Sequence, residues 1–296
     1  MTQSADTFER SCAHWSEDSR TEMEAFYALA RVDYRYLAEA YDWSNAIAAL
    51  AAGKPELRLI DIACGSGKFP EALVEHAELN VVQGIDIRYD LLDPSPFSIA
   101  EAKQVLVAPF RPAGEFCCTL QDWAAEDAAY DIAWATHALY CVPAEELVAG
   151  LSHLCRALAP GGIGFVAQGL RDGHYVHFYD QFRASLRKGQ GTPYSDGGQV
   201  EAALRELGMA VRRRDIEYTT IVPASQPQLL ESYLQRCAFD DTVSFDTMQE
   251  HEPLSGYLRD CFDPASGEYQ FRQRVGLIEF AHRTDALILK TQRPDP

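Results

Sequence analysis

The residues best suited to chemistry lie where an apolar run gives way to acids and glycines. Leu57, Leu59, Ile60 and Ile62 read as a buried parallel strand, which Asp61-Ile62-Ala63-Cys64-Gly65-Ser66-Gly67 carries into a small-residue turn and a helix opening near Phe69 and Pro70. Gly65 and Gly67 let backbone approach a ligand with no Cβ in the way, and the first N–H groups of the helix point at whatever sits there. Asp61 would repel a pyrophosphate but accept hydrogen bonds from an ammonium group. Two phosphate-binding loops fit poorly. A P-loop counted back from Gly67-Lys68 places Ile62 at its first glycine and Phe69 at its Ser/Thr position. A dinucleotide loop, the mark of a nicotinamide-dependent oxidoreductase and the runner-up, begins well at Gly65 but meets Pro70 at its third glycine.

The spacing Asp61-x-x-x-Gly65-x-Gly67 resembles motif I of the class I S-adenosylmethionine-dependent methyltransferases, with Ala63 in place of the first glycine. The methyl group of an alanine there disfavours a positive φ. Further matches follow in order. An expected second strand, Val81–Asp86, ends in an acid nineteen residues after Gly67, and in doubly wound folds an acid about 20 residues on takes the ribose hydroxyls. An expected third strand, Phe116–Leu120, runs into Gln121-Asp122-Trp123; the resemblance implies that Asp122 accepts from the adenine amino group and that Trp123 packs on the ring. Tyr130–Thr136 resembles motif IV, and Leu158-Ala159-Pro160-Gly161-Gly162 resembles the family's turn into strand five. Carried over to this chain, Asp61 holds the amino-acid end of the donor, Ala63, Gly65 and Gly67 form its backbone cradle, and Asp86 and Asp122 fix its nucleoside. The segment Ala40-Tyr41-Asp42 resembles the family's lead into its first helix, where Tyr41 would reach the methionine end. Each acid also reads as an ordinary cap or turn former, and Trp123 as core.

The acceptor is expected beyond the carboxyl end of the fourth strand, at Thr136, His137, Ala138, Leu139 and Tyr140. Thr136 falls on the donor side. His137 and Tyr140 are the catalytic candidates: His137 is a general base, a positioning donor or a hydrogen-bonded structural histidine. The run Thr136-His137-Ala138-Leu139-Tyr140-Cys141-Val142 resembles the segment after strand four of small-amine methyltransferases such as the histamine N-methyltransferase group, which implies N-methylation of a small amine. Desolvation alone could free an amine lone pair, so no dedicated base is required. His174, Tyr175, His177 and Tyr179 form a second cluster. Aromatic lining around a cationic substrate is expected of them rather than a metal site, with core packing as the alternative.

These residues need a scaffold. The chain has 296 residues, 47% of them apolar, enough for one large domain. Strands alternate with helices from 57 to about 169, so the expected fold is α/β: a Rossmann-like, doubly wound, mostly parallel seven-stranded sheet. Residues 1–52 read as an N-terminal helical cap whose stripe of Tyr34, Leu37, Ala38 and Tyr41 faces the core. The domain proper spans 53–296, with a substrate-specificity insert at about 223–275 and a final strand at Ala286–Lys290. A net charge of −18 argues against nucleic acid, and no apolar run is long enough for a membrane span. Eight scattered cysteines suggest neither a zinc site nor disulfides, and the protein is expected to be cytoplasmic with a small-molecule substrate. S- or O-methylation of a small metabolite, such as a thioether amino acid, is the alternative reaction. A non-catalytic donor-binding regulatory subunit is the alternative role.

Overall fold

The computed structural model describes residues 3–15, 20–82 and 84–291. Three helices come first: α1 (Gln3–His14), α2 (Arg20–Ala40) and α3 (Trp43–Ala51), the last capped by the Asp42 side chain accepting from Asn45 N. The alternation that follows runs β1 (Leu57–Ile62), α4 (Lys68–His76), β2 (Ile87–Leu92), α5 (Pro96–Val105), β3 (Phe110–Phe116), β4 (Tyr130–Thr136), α6 (Leu147–Ala157) and β5 (Leu158–Gly169). Then come α7 (His174–Leu186), α8 (Gly197–Glu206), β6 (Ala210–Pro223), α9 (Pro227–Ala238), α10 (Phe245–Glu250), α11 (Leu254–Cys261), β7 (Phe262–Asp263) and β8 (Glu268–Ala281).

One sheet contains all these strands in the order β3-β2-β1-β4-β5-β8-β6, with the two-residue β7 paired to β8. β1 to β5 are parallel, whereas β8 is inserted antiparallel between β5 and β6. Because side chains alternate across a strand, neighbouring residues feed different cores. Leu59 and Trp134 pack with α3 and α4 through Trp43, Ile47, Phe69 and Leu73. Ile60, Ala133 and Ala135 pack on the other face with Leu147, Leu151, Leu154, Val200 and Leu204 of α6 and α8. A third core joins α7, α9, α10 and α11 to Val222 and Phe271 at the far ends of β6 and β8. Strand order reverses between β1 and β4, so the helices that follow them leave to opposite faces and open a crevice between them. No helix among the described residues is long and apolar enough to cross a membrane.

Several expected boundaries shift. Leu79–Val82 form a short 3-10 turn with Val82 in the core, and the second strand begins only at Ile87; Gln83 lies outside the described residues. The third strand precedes Cys117, so Cys117 to Leu120 form part of the loop beyond it. The expected turn at Leu158–Gly162 is absorbed into β5, where pairing with β4 jumps from Leu158 to Ile163. The last strand of the sheet is β8, not Ala286–Lys290, whose neighbourhood contributes a single bridge between Thr291 and Tyr41. The expected insert therefore comprises α9 to α11, β7 and the first part of β8.

Candidate active site

A cavity of about 180 Å³ opens at the carboxyl ends of β1, β2 and β4 and is roofed by α1, α2 and α9. Its floor is the glycine loop. Ala63 takes φ +50°, Gly65 +52° and Gly67 +71°, and this left-handed path turns the chain from β1 into α4. A side chain at Gly67 would place its Cβ 2.6 Å from Val105 Cγ2 and 3.0 Å from Ala102 Cα, so only glycine lets α5 approach.

The acid that serves this loop is Asp93, the first residue after β2. Its Oδ2 accepts from Gly65 N at 3.0 Å and its Oδ1 from Ser95 N at 2.8 Å, and it lines the cavity. Burial pushes its carboxyl up to about 6, against the pull of those two N–H groups. Asp86, the expected ribose ligand, lies at the opposite end of the sheet. Its backbone carbonyl accepts from Leu57 N at the start of β1, and its exposed carboxylate pairs with Arg111 at 2.9 Å. The physical reason is register: β2 starts six residues later than the apolar run Val81-Val82 suggests.

Asp61 is buried beneath the loop and does not line the cavity. Its Oδ2 accepts from the Tyr89 hydroxyl at 2.6 Å, which in turn accepts from Trp134 Nε1 at 3.2 Å, and burial pushes its carboxyl up to about 7. Asp122 is exposed and turned back on Thr119, accepting from Thr119 Oγ1 at 2.8 Å, so Thr119, Leu120 and Gln121 line the cavity in its place. Trp123 packs in the core against Phe116 and Tyr130. Tyr41 is likewise core, edge-on to Trp43 and Phe165.

Ala63, Gly65, Thr136, His137, Tyr140 and Tyr175 do meet at the cavity. His137 has a left-handed φ of +53°, and its N–H donates to Ala167 O at 2.8 Å. The Tyr140 hydroxyl accepts from Gly169 N at 3.0 Å and shares a hydrogen bond with His137 Nδ1 at 2.8 Å, whose direction the imidazole tautomer sets. The other ring nitrogen of His137, Nε2, is buried with no partner. Burial pushes the His137 pKa down to about 4, so the ring is neutral at pH 7.

Of the second cluster, Tyr175 alone reaches the cavity. His174 is buried among Tyr233, Phe271 and Tyr257, bonded through Nδ1 to the Tyr257 hydroxyl at 2.7 Å, with its pKa pushed down to about 3. His177 packs beside Tyr257. Tyr179 stacks on Tyr194 at 3.7 Å and bonds to Thr7 Oγ1 of α1. All three tie the roof together. Among the described residues no group of three or more His, Cys, Asp or Glu could hold a metal ion.

Sequence reasoning missed Asp33. This carboxylate on α2 is buried, lines the cavity and accepts from the Tyr175 hydroxyl at 2.5 Å through Oδ2, while Oδ1 has no hydrogen-bond partner. Burial pushes it up to about 7, with Tyr175 and Tyr218 opposing. Phe26, Tyr27, Tyr34, Tyr140, Tyr175 and Tyr194 line the same chamber. The signal was present in the sequence: Asp33 falls between Ala30 and Leu37, on the apolar stripe of its own helix. Lys68 was also missed; its Nζ lies 5.3 Å over the Tyr27 ring and pairs with Glu71.

A doubly wound sheet with a glycine loop after β1, an acid after β2 and a crevice at its switch point is the arrangement in which open α/β sheets bind nucleosides. Residues 34–213 match the model of a methyltransferase domain family, more than half of the chain. Among solved structures, a candidate methyltransferase from Bacillus halodurans superposes with a TM-score of 0.54 at 13% identity, over 81% of this chain and 99% of that one. The YcgJ protein from Bacillus subtilis superposes at 0.51 with 14% identity, over 80% and 97%. At such identities the likeness is one of fold. No curated protein matches the chain in sequence. The chain belongs to the methyltransferase domain family, within the class I S-adenosylmethionine-dependent methyltransferases, and is an enzyme that uses S-adenosylmethionine.

Proposed function

We propose that this enzyme transfers the methyl group of S-adenosylmethionine to the nitrogen of a small amine. The observation that carries the reading is Asp33: a buried carboxylate with one oxygen that makes no hydrogen bond, in a chamber whose walls include the rings of Phe26, Tyr27, Tyr34, Tyr140, Tyr175 and Tyr194. A cationic or hydrogen-donating nitrogen satisfies that oxygen, whereas a thioether sulfur leaves it orphaned at a cost of about 1–3 kcal/mol or more.

On the donor side, Gly65 gives backbone access, Asp93 receives the ribose hydroxyls, Thr119 to Gln121 border the base, and Thr136 with His137 closes the edge toward the acceptor. Asp61 acts through Tyr89, holding the end of β1 so that the loop keeps its shape. Bound there, the donor supplies a methyl group on a positively charged sulfur. The protein's part is to hold the nitrogen in line behind that methyl and to keep water out, which the roof of α1, α2 and α9 does. Residues 1–52 and the α9 to α11 segment thus select the acceptor.

Labelled donor incubated with a pool of small metabolites tests this. Label on amines is expected; label only on hydroxyl or thioether compounds, or on nothing, overturns it.

A further inference from the structure

An acceptor amine in water is mostly an ammonium ion and must lose a proton before its lone pair can attack. Two side chains able to take up a proton at pH 7 line the chamber with a buried atom that makes no hydrogen bond, His137 and Asp33. His137 is the weaker base of the two: its Nδ1 is already paired with the Tyr140 hydroxyl, and burial pushes its pKa down to about 4.

Asp33 is built the opposite way. One oxygen is held by Tyr175, whose ring lies 5.8 Å from that of His137; the other is buried and makes no hydrogen bond of its own, with the Tyr218 hydroxyl close to the carboxylate. No cation compensates it: no ion pair to Asp33 exists among the described residues, and its neighbours are Tyr34 on its own helix, Tyr140 after β4, Tyr175 on α7, Tyr218 on β6, and Tyr233 and Cys237 on α9. Burial pushes every one of these phenols and the thiol up, so all are neutral around pH 7.

We infer that Asp33 Oδ1 docks the acceptor ammonium and takes the proton its nitrogen must lose, with Tyr175 as the positioning residue; this rests on the amine reading above. The proton passes from nitrogen to Oδ1. The freed lone pair forms the N–C bond as the C–S bond breaks with its electrons going to sulfur, and the methylated product leaves as an ammonium ion. Asp33 then returns its proton to solvent. The raised carboxyl near pH 7 suits this exchange.

The test uses the amine that wild-type enzyme labels in the metabolite pool, with S-adenosylhomocysteine binding by calorimetry as the control for folding. Asp33→Asn is expected to lose about 100-fold or more in kcat/KM at pH 7.5 with S-adenosylhomocysteine affinity within twofold. Tyr175→Phe removes a bond that favours the charged carboxylate, so the acid limb of the kcat/KM profile is expected to move about one pH unit upward, whereas His137→Gln leaves the limb in place. An Asp33→Asn enzyme within threefold of wild type, or an unmoved limb in Tyr175→Phe, overturns the inference while the amine reading stands. If wild-type enzyme labels no amine, both fall.

Discussion

Ala63 carries a φ of +50° where the family's loop has a glycine, so the chain holds a left-handed alanine at the floor of the cavity. Left-handed backbone costs an L-residue roughly 1–2 kcal/mol, part of which glycine returns as flexibility in the unfolded chain. Ala63→Gly is therefore expected to stabilise the protein by about 1 kcal/mol, read as a raised denaturation midpoint with an unchanged m-value. A second contrast separates the acids. Asp93 is tied to the loop and faces the cavity, whereas Asp86 is tied to Arg111 at the far end. A charge-assisted hydrogen bond is worth about 1.5–3 kcal/mol, so Asp93→Ala should weaken S-adenosylhomocysteine binding about 10- to 100-fold. Asp86→Ala should leave it within twofold; a large loss there would mean that the ribose contact has been misplaced.

At the scale of elements, the site depends on how closely neighbours approach. Gly67 begins α4 with α5 directly against it. Gly67→Ala adds a methyl that meets Val105 and Ala102 and forces a left-handed alanine, for a cost of about 2–4 kcal/mol. Midpoint loss in denaturant should come with weaker donor binding, because the same turn presents Gly65 to the cavity. Gly164 makes a comparable contact between β5 and β8: an added Cβ would sit 2.0 Å from Phe280 Cζ. Gly164→Ala is likewise expected to destabilise, yet to spare donor affinity in whatever protein remains folded, because that strand pair lies away from the glycine loop.

For the whole molecule, burial of acids reverses part of the usual pH dependence. Asp33 and Asp61 are raised to about 7 and Asp93 to about 6, from an ordinary 3.8. Through these three groups the folded state binds more protons than the unfolded state between about pH 4 and 7, so their contribution to stability is fully present below that window and is lost as pH rises through it. Buried His137 and His174, pushed down to about 4 and about 3, oppose this below about pH 6.5, where the unfolded chain protonates them. The carboxylates with depressed values, such as Glu201, Glu217 and Glu252, also act oppositely but are mostly exposed and weigh little until the pH falls below about 4.5. Melting temperature is expected to rise on acidification from pH 8 toward about 6.5, above the range in which the buried histidines oppose the acids. Running the series in about 0.5 M salt screens the general repulsion of a chain of charge −18, so a persisting slope belongs to the buried groups. Asp33→Asn should flatten part of it; an unaltered slope would count against the burial of this acid.

The strand-helix alternation and the turn at Asp61 to Gly67 were legible in the sequence because both depend on neighbouring residues: apolar period, glycine freedom and the start of a helix are local physics. The family followed from that pattern. Which acids meet the cavity did not, because a strand's start decides which end of the sheet an acid occupies, and β2 begins at Ile87 rather than in the equally apolar run before it. The same holds for His174 and His177, drawn away from the cavity by rings of α9, α11 and β8 far along the chain, and for Tyr179, stacked on Tyr194 and bonded to Thr7 of α1. Asp33 is the clearest case. On its helix it is a single acid on an apolar stripe. Only the packing of α2 over the crevice, with Tyr175 supplied by α7, makes it a carboxylate of the aromatic chamber with one oxygen that makes no hydrogen bond. Sequence thus determined the glycine loop and the class of fold, while the chamber that gathers Asp33, Tyr140 and Tyr175 came from contacts between elements distant in the chain, which no local pattern encodes.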